Sequence, residues 1–174
     1  GEGKTAVDIN RALENTITVT RNEWKYVAEM TTLLADNLPK LRCLPGELNQ
    51  VFLNILVNAA HAIAEATDNG RMGKGLITIS TRKDQTVLEI RISDTGTGIP
   101  LDIQERIFDP FFTTKEVGKG TGQGLAIARS VVVDKHRGTI HFTTEPGRGT
   151  TFIIRLPLQI DPPTTEDDSE IQHK

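Results

Sequence analysis

The sequence predicts an α/β fold: a two-layer sandwich in which about three helices cover one face of a mixed, mostly antiparallel sheet. Three observations lead there. From Pro45-Gly46-Glu47 to about Ala66, apolar Leu48, Val51, Phe52, Ile55, Ala59 and Ile63 recur every three or four residues, as in a buried helix. Leu76–Arg82 and Val87–Asp94 alternate in polarity across Lys83-Asp84-Gln85-Thr86, and Thr139–Thr144 and Thr150–Leu156 flank Glu145-Pro146-Gly147-Arg148-Gly149, so each pair reads as an antiparallel hairpin. The 174 residues, 37% hydrophobic and 25% charged, suit a single core without internal repeats.

The remaining elements follow in chain order. Asp8 to about Arg21 places Ile9, Leu13 and Ile17 at four-residue spacing, which predicts a helix, and residues 1–22 read as a connector into the domain. A strand is expected at Tyr26–Leu34, broken by Asn37-Leu38-Pro39, and a Gly-rich loop from Asp68 to Gly75. A short helix near Leu101–Arg106 precedes Phe108 to Gly124, whose aromatics, lysines and glycines without a period predict a mobile loop. Gly124 to about His136 reads as a helix closed by Gly138. Residues 23–158 make the domain, and 159–174 an acidic disordered tail or linker.

Composition excludes several classes. A lone Cys43 makes neither an intrachain disulfide nor a cysteine metal cluster and points to a reducing, cytoplasmic setting. No apolar run approaches the roughly 18 residues of a membrane span, and GEGKTAVDIN is no signal peptide. Net charge is −3, and residues 159–174 hold five acids against one base, leaving 19 bases and 18 acids elsewhere. That balance is not a nucleic-acid-binding surface. The opening GEGKT lacks the first half of a phosphate loop and its strand.

Three segments carry chemistry. Along the long helix, Glu47, Gln50, Asn54, Asn58, His61 and Glu65 fall on one stripe. A solvent face has the same period, but this stripe is narrow and its centre holds amides, which coordinate Mg²⁺ or bind phosphate-bound water without repelling an anion. Leu88, Ile90, Ile92 and Asp94 share one strand face, so a carboxylate ends an apolar row and needs a donor, either an Asx-turn amide or a ligand's exocyclic amine beside Thr95-Gly96-Thr97-Gly98-Ile99-Pro100. Gly118-Lys119-Gly120-Thr121-Gly122-Gln123-Gly124-Leu125 runs into a helix; such glycines form a hinge or let backbone amides cradle phosphate at the helix N-terminus.

Taken in this order, the segments resemble the catalytic ATP-binding domain of sensor histidine kinases, in the wider superfamily of gyrase, heat-shock chaperone and mismatch-repair ATPases, from about Leu44 to Leu158. The run Gln50 to Ala59 is similar to its N box, Asp94 to Ile99 to its G1 box, Ile107 to Lys115 to its F box and Gly120 to Leu125 to its G2 box, while Gly149-Thr150-Thr151-Phe152 resembles its closing strand. The resemblance implies ATP and Mg²⁺ as ligands. Asp94 would accept the adenine amino group, with Thr151 supporting adenine through water and Gly96, Gly98 and Ile99 bordering the base. Asn58 would ligate Mg²⁺, and Asn54 would hold the phosphate end. Gly120, Thr121, Gly122, Gly124 and Leu125 would cradle phosphate, and Lys115 and Lys119 on the ATP lid would reach the terminal phosphates.

Two positions depart from the pattern: His61 stands where the family often has a phosphate-facing cation, and Gln123 where it has an apolar residue. The kinases phosphorylate a histidine followed by an acid on a dimeric helical hairpin, whereas His61, His136, His141 and His173 precede Ala62, Arg137, Phe142 and Lys174. The chain is expected to be a monomeric fragment that, by its charge and lack of an apolar span, binds no nucleic acid or membrane, and the resemblance implies that it presents the γ-phosphate to a phospho-acceptor domain of its parent, with a response regulator downstream. The alternatives are a superfamily ATPase, which would carry a glutamate where Asn54 stands, and a nucleotide-sensing module without transfer activity.

Overall fold

Asp8 starts the first helix, its Oδ1 accepting the Arg11 amide hydrogen at 3.2 Å, and α1 (Ile9–Val19) buries Ile9, Ala12, Leu13 and Thr16. The computed structural model of the chain describes residues 3–110, 112 and 124–158. After a single turn, α2 (Arg21–Trp24), come β2 (Ala28–Leu33), α3 (Pro45–Ala66), and the hairpin β4 (Gly75–Asp84) and β5 (Val87–Asp94). A 3-10 turn at Leu101–Arg106, α4 (Gly124–Arg129), β6 (Thr139–Glu145) and β7 (Gly149–Pro157) complete this set, in which only α2 is not expected from the sequence. The main sheet has the order β2-β4-β5-β7-β6, with β2 parallel to β4 and every other pair antiparallel. This is the expected mixed, mostly antiparallel sandwich.

Three features differ from the sequence reading. Thr5–Val7 and Leu41–Cys43 pair as an antiparallel ribbon, β1 and β3, whose three-residue strands are too short to show alternation. The helix expected over 124–136 is α-helical only to Arg129 and continues as π-helix over Ser130–Lys135, a change of hydrogen-bond step that apolar spacing does not encode. It ends with Arg137, not Gly138, in the left-handed region (φ 56). Gly138 is needed for space: a Cβ there would collide with the Arg155 carbonyl oxygen of β7.

The inner sheet face supplies the core. Ile77, Ile79, Leu88, Ile90, Ile92, Phe152, Ile154 and Leu156 alternate inward and are buried against Phe52, Ile55, Leu56 and Ile63 of α3. Phe108, which the sequence assigns to a mobile loop, is held by Phe142 and Phe152 at ring-centroid distances of 6.0 and 6.5 Å. Residues 111 and 113–123 of that loop and the acidic tail 159–174 lie outside the described residues.

The outer face is organised by one carboxylate. Glu89 points away from the core yet is only 2% exposed, because Arg82 (2.6 Å), Arg91 (3.0 Å) and Arg155 (2.5 Å) close over it. Arg155 also reaches Asp84 at 3.0 Å. The hydrogen bond from Arg82 outweighs burial and, with Arg91 and Arg155, pulls the Glu89 carboxyl down to about 2. Its folded value lies below its unfolded one, so its contribution to stability is complete above pH 4.5 and is lost as pH falls through about 2. Glu89→Ala leaves three guanidinium groups facing one another and is expected to cost about 3 kcal/mol, read as a lower urea midpoint at pH 7. An unchanged midpoint would show that the cluster contributes nothing net.

Candidate functional site

Asn54, Asn58 and Ala62 follow one another at four-residue steps along α3, a row about 12 Å long from first to last. At its far end a Cβ placed on Gly96 would lie 2.5 Å from Ala62 Cβ and 2.7 Å from the Ala62 carbonyl carbon, so only glycine lets the loop after β5 rest on α3. That contact brings in Asp94. Its Oδ1 accepts the Gly96 amide hydrogen at 2.8 Å, and the amide of Thr150, directly opposite on β7, donates to the same carboxylate. Burial pushes the Asp94 carboxyl up to about 6 against the opposing pull of these two amides. A carboxylate has about four acceptor sites. The Asx turn and a site for an outside donor therefore coexist on one side chain.

At the near end of the row, a Cβ on Gly124 would stand 3.6 Å from Asn54 Cγ and Nδ2. The N-terminus of α4 thus abuts Asn54, whose Oδ1 accepts from Gln50 Nε2 at 3.0 Å. Half-buried Asn58 lies between the two ends. One helix wall, bounded by a carboxylate at one end and a glycine-led helix start at the other, suits an elongated ligand with a donor-bearing flat end and an anionic end. Among the described residues no three His, Cys, Asp or Glu side chains gather into a metal cage. A cation here would draw most of its ligands from the bound molecule, which is how Mg²⁺ is usually held beside phosphates.

Comparison with known proteins agrees with this layout. Residues 44–160 match the family model for histidine kinase-, DNA gyrase B- and HSP90-like ATPases. The chain belongs to this family. It is 33% identical over 156 residues to the sensor histidine kinase ZraS of Escherichia coli K12, covering 89% of this chain and 31% of that protein. To the sensor kinase CckA of Brucella abortus it is 41% identical over 137 residues, 70% of this chain and 14% of that one. The chain thus spans a third or less of these relatives. The catalytic domain of histidine kinase ThkA superposes with a TM-score of 0.74 at 27% identity, covering 89% of this chain and 95% of that one. The fold is that of a histidine kinase catalytic domain, and the family's nucleotide is ATP.

Asp94, Gly96, Asn58, Asn54, Gly124 and half-buried Leu125 line up along α3 and the start of α4. Gly98 (φ 74) makes room for the Glu145 carbonyl rather than for open space, and the Ile99 amide donates to Thr144 Oγ1 at 2.9 Å, pinning the loop to the β6–β7 turn. His61 stands 3.8 Å from Glu23 Oε2 of α2, on the stripe of α3 that carries Asn54 and Asn58. Thr151 points to the outer face, where its hydroxyl meets Ser93 Oγ at 2.8 Å. The threonine beside Asp94 is Thr150, whose Oγ1 lies 2.9 Å from Thr144 Oγ1. Strand parity held that signal: Phe152, Ile154 and Leu156 face inward, and so does residue 150. Lys115, Lys119, Gly120, Thr121, Gly122 and Gln123 lie outside the described residues. Among the described residues no helix is long and apolar enough to cross a membrane.

A nucleotide that binds ionised Asp94 must lower its proton affinity. In carboxyl-detected NMR of the ligand-free protein, Asp94 is expected to titrate near 6, and saturating adenosine to move that midpoint down by about one unit or more. A midpoint unmoved by adenosine would separate Asp94 from the ligand.

Proposed function

We propose that this domain holds ATP with its adenine amino group on Asp94 and its triphosphate along Asn58 and Asn54 toward the start of α4, and presents the γ-phosphate to a histidine on a separate phospho-acceptor domain of its parent protein. The observation that carries this reading is the continuous row from Asp94 and Gly96 through Ala62 and Asn58 to Asn54 and Gly124. Ionised Asp94 accepts, so it favours a base with an exocyclic amine and disfavours one presenting a carbonyl there. Thr150 takes the supporting place beside it. Mg²⁺ carried by the triphosphate would neutralise developing charge, and the Asn58 carboxamide oxygen is the protein's candidate ligand for it.

Phosphoryl transfer needs positioning and charge stabilisation more than covalent chemistry from the protein. Amides rather than acids on the α3 wall meet that need, since they bind without repelling phosphate. Asn54 cannot take a proton from water as a carboxylate would, which favours transfer to a partner over hydrolysis. The histidines within the chain lack a following acid, so the acceptor is sought elsewhere in the parent, with a response regulator receiving the phosphoryl group afterwards. Residues 1–22 are read as the connector from that acceptor domain. Ile9 and Leu13 are fully buried and β1 is paired with β3, which supports a connector docked firmly on the catalytic body.

The test is phosphorylation in trans: the domain, the parent's histidine hairpin and γ-labelled ATP should give an acid-labile label on the hairpin. Asp94→Asn replaces an acceptor with a donor and is expected to weaken ATP binding roughly tenfold to a hundredfold, and Asn58→Ala to slow transfer about tenfold or more. Tight ATP binding with no label transfer would favour a sensing module, and steady hydrolysis lost in Asn54→Ala would favour an ATPase.

A further inference from the structure

The π-helical segment after α4 ends on a buried side chain that the nucleotide boxes do not include. His136 is 4% exposed. Its Nε2 lies 3.0 Å from the Leu44 amide nitrogen and its Nδ1 2.8 Å from the Val131 carbonyl oxygen. The Leu44 amide can only donate and the Val131 carbonyl can only accept, so the ring is neutral, with its proton on Nδ1. Burial also favours the neutral form.

The two bonds join the end of the π segment to the residue that precedes α3. Next to them Lys135 Nζ pairs with Glu47 in the first turn of α3. The rod formed by α4 and the π segment therefore runs antiparallel to the first half of α3. Polar contacts join it to Leu44 and Glu47 at one end, and at the other Gly124 meets Asn54 about 15 Å away. Ala128 of α4 and Val131 and Val132 of the π segment are buried in the core and hold the rod against α3 along its length, while the His136 bridge fixes its register at the Leu44 end.

We propose that His136 is a positioning residue for the phosphate end of the nucleotide site: its neutral ring, bridging Val131 and Leu44, sets where the α4 N-terminus stands against Asn54. This rests on the ATP reading given above. Because Leu44 directly follows β3, which pairs with β1, the same bridge ties the strand through which the chain enters the domain to the helix that meets the phosphates.

The test compares ATP–Mg²⁺ with adenosine, which touches only the Asp94 end. His136→Phe keeps a planar ring but neither bond and is expected to weaken ATP binding about tenfold while adenosine affinity stays within about twofold. His136→Gln restores one donor and one acceptor and is expected to recover most of the loss. A wild-type ratio of ATP to adenosine affinity in His136→Phe, or equal losses for both ligands, would overturn the proposal. Should the Phe variant not fold, the unaltered protein decides: ATP–Mg²⁺, but not adenosine, should shift the Leu44 amide and His136 ring ¹⁵N signals, and no shift would overturn it. Failure of adenosine to bind the wild type would instead strike the adenine assignment.

Discussion

Everything at the site depends on the contact of Gly96 with Ala62. The end of β5 and the last turns of α3 are distant in sequence, and a methyl group at residue 96 would hold them apart by overlap with both the Ala62 side chain and backbone. With hydrogen alone in that place, the loop settles on the helix, the Gly96 amide turns to Asp94, and a buried carboxylate becomes the terminus of a row of amides. The cost of burying that charge is visible in its raised proton affinity and is only partly offset by two backbone donors. Such residual demand for a donor is the physical basis of the proposed adenine assignment, since a fully satisfied carboxylate would have no reason to bind an amine.

The sheet uses the two faces of the same strand in opposite ways. Inward along β5, Leu88, Ile90 and Ile92 seat α3 and end in Asp94, whose proton affinity is raised because burial outweighs its donors. Outward, Glu89 is as deeply covered, but by three guanidinium groups, and its proton affinity falls. Burial raises both carboxyls. The sign of the net shift is decided by the partners.

Much of this was legible in the sequence because it is periodic. The three- and four-residue spacing of α3 and the alternation of β5 located the amide row and its terminal carboxylate, and the hairpins fixed the sheet around them. Other features resist such reading for definite reasons. The β1–β3 ribbon pairs residues nearly forty positions apart through three residues on each side, too few to leave a pattern. The π-turn changes backbone hydrogen bonding without changing which residues are apolar. Gly138 looks like a helix stop, yet its need arises from Arg155 of a strand formed later in the chain. The same parity rule that found Asp94 puts Thr150 on its face of the sheet and the Thr151 hydroxyl on the outer face, beside Ser93.

The central claim is that one helix wall, from Asp94 to Asn54, receives a single nucleotide with its metal at Asn58. Replacing Mg²⁺ with Mn²⁺ in an ATP titration followed by NMR tests it most directly, because a paramagnetic ion broadens nearby signals steeply with distance. The account requires ATP-dependent broadening centred on the Asn58 side-chain amide, weaker at Asn54 and Ala62, and weakest along α3 beyond them. Broadening centred away from α3, or none at saturating ATP, would contradict it.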